Sequence, residues 1–379
     1  MKVVLLSYGF PEYCIQQANG LARECEVLLM LPRAEAAEYQ YLLDPAVRLF
    51  LFDKPRLRQP FKQVVLAARL LRRIRKFQPD VIHYQQGHLW FNFALPLLRR
   101  YPLVVTIHDP RHHAGDADSR RTPQPVMDFG FRRADRVIVH GESLKRDVVR
   151  LFNHTADRIH VIPHVAIGGV TKPTEATDDG LSILFFGRIW AYKGLEYLIQ
   201  AEPAIRRAVP GARIIIAGQG EDFRRYQDLM ERPESFVVHN RFISSSECEE
   251  LFSQASVVVL PYTEATQSGV IPLAYSFAKP VVATRVGALA NAVEDNKTGL
   301  LVPPKDSEAL GAAIVTLLQD PNRRCAMGAA GRRKLDDEWS PRAVAQQAME
   351  VYRRTIRDRR RCEHSSADAP NAGLEVNKC

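Results

Sequence analysis

Two cationic side chains stand close together after an apolar run in the second half of the sequence. Residues 182–187 read Ser-Ile-Leu-Phe-Phe-Gly, and Arg188 and Lys193 follow before an apolar pattern of helical spacing over residues 195–202. Such a run is typical of a strand buried on both faces of a parallel sheet, and ligands bind at the carboxyl ends of these strands. One interpretation is that both side chains bind a diphosphate at the positive end of the helix, although this pattern taken alone favours the alternative given next. The simpler alternative is that both are solvated.

A second polar stretch lies where another helix should begin. Residues 266–269 read Thr-Gln-Ser-Gly and follow the apolar run at residues 257–261, and a helix is predicted over residues 270–277. Backbone amides in the first turn of a helix have no partner within it, so they can bind phosphate oxygens. An ordinary helix cap by Ser268 is the alternative. The position after the apolar run favours ligand binding.

Several predicted strands of the first half end in a polar residue or are followed by one: Ser7, His83, His108 and His140. The carboxyl ends of parallel strands meet at one edge of a sheet, so we expect these side chains to face a cleft. His108 is one of these residues. It could also cap a turn, because Asp109 follows it.

A metal site was considered at His112, His113, Asp116 and Asp118, whose side chains could ligate a divalent ion. No apolar strand precedes this segment, so we interpret it as a loop. We predict no metal, because two cations would already neutralise the diphosphate. A nicotinamide enzyme is disfavoured too, since Gly218-Gln-Gly220 lacks the third glycine of the dinucleotide fingerprint.

Strands and helices alternate along the chain. The predicted strands are residues 3–6, 26–30, 47–52, 81–83, 103–107 and 136–139 in the first half, and 182–186, 213–217, 235–239, 256–260, 280–284 and 299–302 in the second. Strands separated by helices predict α/β domains with parallel, doubly wound sheets.

The domain boundaries follow from composition. We predict a first domain over residues 1–165, a Gly-, Thr-, Pro- and Asp-rich linker over 166–180, and a second domain over 181–340. A helix over 341–358 could pack back on the first domain. We expect a disordered tail over 359–379.

Charge and cysteine content restrict the partners and the compartment. The 379 residues carry a formal net charge of +9, which favours anionic partners such as nucleotide phosphates, nucleic acid or an anionic membrane surface. The six cysteines include no Cys-x-x-Cys pair, so neither a zinc knuckle nor a disulfide framework is indicated. No apolar run reaches membrane-spanning length. We expect a cytoplasmic protein whose membrane contact, if any, is peripheral and on the inner face.

One predicted helix is strongly basic. Residues 54–76 contain nine Lys or Arg and no acid, and an apolar stripe runs along the helix within them: Phe61, Val64, Val65, Ala68, Leu71 and Ile74. The favoured interpretation is a stripe that faces the core, with a solvated basic face opposite. The alternative is docking to anionic lipid headgroups.

A family resemblance rests on an ordered series of motifs: Gly187-Arg188, Lys193-Gly194, Ile-Ile-Ile-Ala217-Gly218-Gln-Gly220, Val-Val-Val-Leu260-Pro261, Ser268-Gly269, Pro280-Val-Val-Ala-Thr284 and Gly299-Leu-Leu-Val302. The series resembles the donor domain of the retaining glycosyltransferases of family four, or glycosyl transferases group 1. The first half is similar more loosely, through Val-Thr-Ile-His108-Asp109 and Val161-Ile-Pro163-His164. The resemblance implies the GT-B fold, in which two Rossmann-like domains face a central cleft.

The resemblance also implies an activity. A sugar would pass from a nucleotide-diphosphate sugar to a glycan or lipid-linked acceptor, with retention at the anomeric carbon and without a cofactor, metal or nucleic-acid partner. Arg188 and Lys193 would stabilise the leaving diphosphate, and His108 would lie near the donor sugar. The implied donor-binding set is Gly187, Arg188, Lys193, Phe242, Ile243, Glu264, Thr266, Gln267, Ser268, Gly269 and Val270. Family habit suggests surface or exopolysaccharide synthesis.

Two departures from the family pattern concern substrate binding. Family members carry two glutamates eight positions apart, the second of which binds the donor ribose, but Leu273 and Ala274 occupy that region here. Gln267 or Glu264 could replace the first. The loop at residues 7–14 also lacks the usual glycine pair. Two alternatives stay open: a non-catalytic sugar-binding derivative of the family, and a GT-B nucleotide-sugar epimerase.

Overall fold

The computed structural model describes residues 1–85, 87–111, 122–167, 178–265 and 268–367, with side chains as far as Arg361. These residues form two α/β domains, each built around one parallel sheet. The predicted fold class is confirmed. Among the described residues, no helix is both long and apolar enough to span a bilayer.

The first sheet has seven strands in the order β3-β2-β1-β4-β5-β6-β7. They are β1 (Lys2–Leu6), β2 (Glu26–Pro32), β3 (Arg48–Phe52), β4 (Val81–Tyr84), β5 (Leu103–Thr106), β6 (Arg136–Val139) and β7 (Ile159–Val161). The helices between them are α1 (Pro11–Ala22), α2 (Arg33–Ala36), α3 (Pro60–Phe77), α4 (Leu89–Asn92), α5 (Gln124–Arg132) and α6 (Glu142–Phe152). Alternate residues of β1 enter two different cores, so both faces of the sheet are covered.

The second sheet has six strands in the order β10-β9-β8-β11-β12-β13. They are β8 (Ser182–Phe186), β9 (Arg213–Ala217), β10 (Phe236–His239), β11 (Val257–Leu260), β12 (Val281–Thr284) and β13 (Gly299–Val302). The helices are α7 (Leu195–Ala208), α8 (Arg224–Gln227), α9 (Ser245–Gln254), α10 (Val270–Ser276), α11 (Leu289–Ala292), α12 (Ser307–Gln319) and α13 (Pro321–Lys334). The order of each sheet reverses beside β1 and β8, which places ligand-binding edges there.

The last helix, α14 (Pro341–Ala367), returns to the first domain after a π-helical turn at Leu335–Trp339. Its apolar face packs into one core of the first sheet together with α1. The prediction of a disordered tail from residue 359 is wrong for residues 359–367, which continue this helix. The continuation is held by Arg359, which contacts Asp135 and the carbonyl of Arg99.

His83 does not face the cleft, contrary to the prediction. It lies inside β4 and is fully buried. Its Nδ1 is 2.6 Å from the Tyr352 hydroxyl of α14, and its Nε2 is 2.7 Å from the Thr106 hydroxyl. The strand runs one residue further than predicted, so His83 occupies an interior position whose side chain points to the face covered by α14.

The basic helix α3 buries a different stripe from the predicted one. Leu71 and Ile74 are buried as expected, and the rest of the buried face is Gln63, Leu66, Leu70 and Phe77. Phe61 is 87% exposed, and Val64, Val65 and Ala68 are exposed as well. The favoured interpretation, a stripe facing the core, is therefore wrong for its first four residues. Two apolar stripes lie on this helix, and spacing alone could not tell which one faces the sheet.

Candidate active site

A cavity lies between the two domains, against the carboxyl ends of β1, β5, β8 and β11. It encloses about 1170 Å³, part of it open to solvent. The first domain and the residues that follow it contribute Phe10, Pro11, Glu12, Tyr13, Tyr39, Asp109, His164 and Ile167. The second contributes Phe186, Gly187, Arg188, Tyr192, Lys193, Ala265, Ser268, Gly269, Val270 and Leu273. The predicted cations and the predicted serine and glycine thus share one wall.

The loop that carries Arg188 is supported by the loop after β9. The amide of Gly187 donates to the Ala217 carbonyl at 2.9 Å, and that of Ile189 donates to the Gln219 carbonyl at 3.1 Å. Gly218 has a φ of 145°, and a Cβ there would collide with the Gly187 carbonyl. The Gly-Gln-Gly sequence therefore allows two loops to approach closely and fixes the position of the arginine.

Lys193 is held by aromatic rings at the end of the same loop. Its Nζ lies 3.7 Å from the centroid of the Tyr262 ring and 5.2 Å from that of Tyr192. Gly194, with a φ of 65°, packs against the Pro261 carbonyl, where a Cβ would collide. Burial lowers the pKa of Lys193 to about 8. Burial thus destabilises the positive charge of the ammonium group, and an anion bound beside it would offset that cost.

The stretch before α10 lies beside Lys193. The amide of Val270 donates to Ser268 Oγ at 3.2 Å, and the Tyr262 hydroxyl lies 3.5 Å from the same oxygen. Ser268 thus accepts a local hydrogen bond from the first residue of α10, although Gly269 is the cap residue of that helix and no side chain caps it. Ser268, Gly269 and Val270 nevertheless line the cavity. Binding of a ligand by Ser268 stays a prediction.

The wall from the first domain is formed by residues that sequence reasoning did not assign to the site. Phe10 has a left-handed backbone with a φ of 53° and is 38% exposed. Glu12 and Tyr13 follow it in α1, and Asp109 follows β5. A signal for Asp109 existed, because it stands next to the predicted His108. None existed for Phe10.

Three histidines lie in or behind this wall, and of these His164 lines the cavity. His108 is 5% exposed, its Nε2 is 3.3 Å from Gln85 Oε1, and its ring centroid is 4.5 Å from that of Phe10. It is packed behind the cavity lining rather than in it. His140 Nδ1 donates to the Ile162 carbonyl at 2.9 Å, and His164 Nδ1 donates to the Val165 carbonyl at 2.8 Å. Burial lowers the pKa of His140 to about 4 and that of His164 to about 3, so both rings are neutral near pH 7.

Several predicted donor-binding residues lie elsewhere. Phe242 is 63% exposed and Ile243 packs against the core of the second domain, and neither lines the cavity. Glu264 is exposed, whereas Ala265 beside it lines the cavity. Thr266 and Gln267 lie outside the described residues. Leu273, in the region where the family carries its second glutamate, lines the cavity with an apolar side chain.

The metal candidates His112, His113, Asp116 and Asp118 also lie outside the described residues. Within the parts of the chain that the structure describes, no group of three or more His, Cys, Asp or Glu side chains could hold a metal ion.

Comparison with known proteins identifies the family. The profile described as Glycosyltransferase Family 4 matches residues 9–165, and that described as Glycosyl transferases group 1 matches residues 180–320. The chain belongs to this glycosyltransferase family. It is 30% identical over 329 residues to a D-inositol 3-phosphate glycosyltransferase of Kineococcus radiotolerans, covering 74% of this chain and 72% of that protein.

Solved structures show the same fold. The sucrose-phosphate synthase of Thermosynechococcus elongatus superposes with a TM-score of 0.73 at 19% identity, covering 94% of this chain and 100% of that one. HepE of Anabaena, solved in complex with UDP, gives a TM-score of 0.71 at 18% identity, covering 93% and 99%. The glycosyltransferase is therefore a GT-B protein, as the sequence resemblance implied.

Proposed function

We propose that this glycosyltransferase moves a sugar from a nucleotide-diphosphate sugar to a hydroxyl of a glycan or lipid-linked acceptor, with retention at the anomeric carbon. One observation carries the proposal. Arg188, Lys193 and the Ser268–Gly269 stretch meet on a single wall of a cavity that the other domain closes. The complex of the HepE chain with UDP supports a nucleoside diphosphate as the occupant.

The chemistry of the transfer explains why two cations are needed. The bond between the anomeric carbon and the diphosphate oxygen breaks while the acceptor oxygen bonds to that carbon, and the acceptor proton passes to the departing diphosphate. Negative charge therefore grows on the leaving group. Fixed cations in a cleft that excludes water lower the energy of this transition state, without a metal ion.

The remaining donor contacts are proposed around this centre. The ring of His108 lies directly behind that of Phe10. A shift of the Phe10 ring would uncover the histidine, which could then contact the donor sugar. Phe242 and Ile243, in the loop after β10, would contact the nucleoside. Glu264, Thr266 and Gln267 would complete the loop that binds the sugar and phosphates.

A peripheral contact with an anionic membrane is part of the same proposal. The exposed side of α3 begins with Phe61, Val64 and Val65 and continues with basic side chains, among them Arg72 and Lys76. Apolar side chains can enter the headgroup region while each nearby Lys or Arg contributes roughly 1 kcal/mol. Docking through α3 would hold the enzyme at the membrane, where a lipid-linked acceptor, such as one used in surface polysaccharide synthesis, is located.

The donor half of the proposal is tested first with a thermal-shift panel of nucleoside diphosphates and their sugars, where one base should stabilise the protein most. With that donor, Arg188→Ala and Lys193→Met should each lower kcat by about 100-fold or more, because each removes a stabilising charge from the leaving group. Their melting temperatures should stay near that of the parent protein.

Arg207→Ala is the matched control, since Arg207 is an exposed arginine of α7 that does not line the cavity. Its kcat should equal that of the parent. If Arg188→Ala and Lys193→Met keep the kcat of the parent protein, these two side chains do not stabilise the leaving diphosphate, and the proposed site is wrong. Stabilisation by nucleotide sugars without any turnover would instead favour a non-catalytic sugar-binding protein.

A further inference from the structure

A second cavity, which we call the hinge pocket, lies between the two domains next to the segments that join them. It encloses about 710 Å³, part of it open to solvent. Trp339 forms part of its wall, and the carbonyl of Trp339 accepts a hydrogen bond from the amide of Ala166, so both joining segments meet there. Most of the lining is apolar, and its larger side chains are Val161, Pro163, Ile271, Pro272, Leu289 and Trp339.

The hinge pocket adjoins the cavity that is lined by Arg188 and Lys193. Ser268 and His164 line both spaces. A group bound in the hinge pocket would therefore lie beside the proposed diphosphate site. The acceptor must reach the same place, because its hydroxyl attacks the anomeric carbon next to the diphosphate.

The charged side chains of the hinge pocket are exposed or form ion pairs within the protein. Glu142 and Glu338 are exposed to solvent. Lys334 Nζ lies 2.6 Å from Glu294 Oε1 and 3.2 Å from Glu338 Oε2. The interior of the pocket thus suits an uncharged, apolar group, since burial of a charge without a partner is costly.

His140 supplies a buried hydrogen-bond acceptor to this pocket. Its Nδ1 donates to the Ile162 carbonyl at 2.9 Å, so the neutral ring carries no proton on Nε2, which can only accept. Within the described part of the chain, this Nε2 is buried and has no hydrogen-bond partner. A ligand hydroxyl that donates to it would remove the cost of leaving the nitrogen unsatisfied.

We infer that the hinge pocket binds an aliphatic aglycone of the acceptor, while His140 Nε2 accepts a hydrogen bond from an acceptor hydroxyl. The inference rests on the proposed function, because that function places the acceptor between the domains beside the donor diphosphate. It narrows the proposed acceptor to a molecule that carries an apolar chain close to the reacting hydroxyl.

The test compares glycosides that differ only in the length of the aglycone. Methyl and n-octyl β-D-glucosides, and the matching galactosides, are added to the full chain saturated with the nucleoside diphosphate that the thermal-shift panel identifies. The octyl members stay below their critical micelle concentrations, and saturation-transfer NMR measures each Kd. Each octyl glycoside should bind about tenfold or more tightly than its methyl counterpart, because the chain leaves water for an apolar pocket.

Variants of Ala292 test whether the chain lies in the hinge pocket. Ala292 ends α11, is half-buried and lines the pocket. Ala292→Phe fills the space and Ala292→Asp places a charge in it, so each should reduce the octyl preference severalfold. Ala204 is an exposed alanine of α7 that does not line the pocket, so Ala204→Phe and Ala204→Asp should keep the full preference. Retained affinity for the nucleoside diphosphate shows that a variant is folded.

His140→Phe tests the polar half of the inference. The substitution keeps a ring at this position but removes the accepting nitrogen. It should weaken binding of at least one octyl glycoside severalfold while the octyl preference remains. Unchanged affinity for both octyl glycosides would contradict the role given to His140.

Equal binding of the methyl and octyl members contradicts the inference, and so does an octyl preference that survives in both Ala292 variants. Loss of the preference in Phe61→Ser with Val65→Ser would place the chain on the exposed face of α3 and would contradict it too. These outcomes leave the proposed function intact as long as the donor binds and turns over. Failure of every nucleotide sugar to bind would overturn the proposed function, and the inference with it.

Discussion

The surroundings of Lys193 destabilise its charged form when no anion is bound. Its Nζ lies against the rings of Tyr262 and Tyr192, and burial lowers its pKa to about 8 from an ordinary 10.5. The charged form is destabilised in the empty site. A bound diphosphate would stabilise that form and raise the pKa again.

This pKa change predicts proton uptake on donor binding. In the free protein with a pKa near 8, about three-quarters of Lys193 is neutral at pH 8.5, so binding there should take up roughly that fraction of a proton. Affinity should fall as pH rises above 8 and should not respond to this group below about pH 7. Calorimetry at pH 8.5 in buffers of different ionisation enthalpy measures the uptake.

Lys193→Met supplies the control, because its titration with the same nucleoside diphosphate should show no uptake from this position. Equal uptake in the parent and in Lys193→Met would show that another group titrates. A parent whose affinity is constant from pH 7 to pH 9.5 would contradict the role given to the lysine.

Several cavity residues of the second domain could be predicted, whereas Phe10 of the first domain could not. Arg188 and Lys193 lie in the segment that joins β8 to α7, and Ser268 and Gly269 directly precede α10, so local sequence places them. Phe10 reaches the cavity through a backbone conformation that its residue type disfavours. Its exposure also depends on packing between distant segments. The sequence near Phe10 indicates neither the left-handed backbone nor the packing of distant segments around it.

At the scale of elements, the strands were the most predictable part. Runs such as Val257–Leu260 are fully buried, and burial on both faces requires the apolar composition that reveals them. The strand at Ile159–Val161 was not predicted because only three residues pair there. The end of α14 was missed because its exposed, polar residues resemble a disordered tail until Arg359 and Asp358 contact the first domain.

The exposed face of α3 leads to a prediction about membranes. The protein should sediment with vesicles that contain anionic phospholipid, and binding should weaken as salt increases, because screening shortens the reach of the basic residues. Phe61→Ser with Val65→Ser should lower binding by about tenfold or more, since each apolar side chain buried in the interface is worth on the order of 1–2 kcal/mol.

Leu229→Ser is the matched control for that experiment. Leu229 is an exposed apolar residue of the second domain, 41% exposed, and its loss should not alter sedimentation. Binding that is indifferent to salt, or parental binding in the α3 variant, would show that the helix face does not dock to lipid.

At the scale of the whole molecule, the cleft is closed at its edge by contacts between domains. Ser245 Oγ, at the start of α9, donates to Glu38 Oε1 of the first domain at 2.7 Å. On the opposite side Gly141 packs against Ala288, where a Cβ would come within 3.0 Å of the alanine side chain. Two domains could be predicted from sequence. Closure over the donor was also expected, but the contacts at the edge of the cleft could not be predicted, because they join single residues far apart in the chain.

The Glu38–Ser245 pair gives a test of whether closure contributes to donor affinity. If donor binding selects the closed arrangement, each of Ser245→Ala and Glu38→Ala should raise the Kd for the nucleoside diphosphate by about two- to tenfold, the effect of one partly exposed hydrogen bond. The double variant should be no weaker than the worse single variant, because both changes remove the same bond. Additive losses would mean that the two side chains act separately. An unchanged Kd in all three proteins would show that this edge of the cleft closes without affecting donor binding, and the diphosphate contacts alone would then have to supply the affinity.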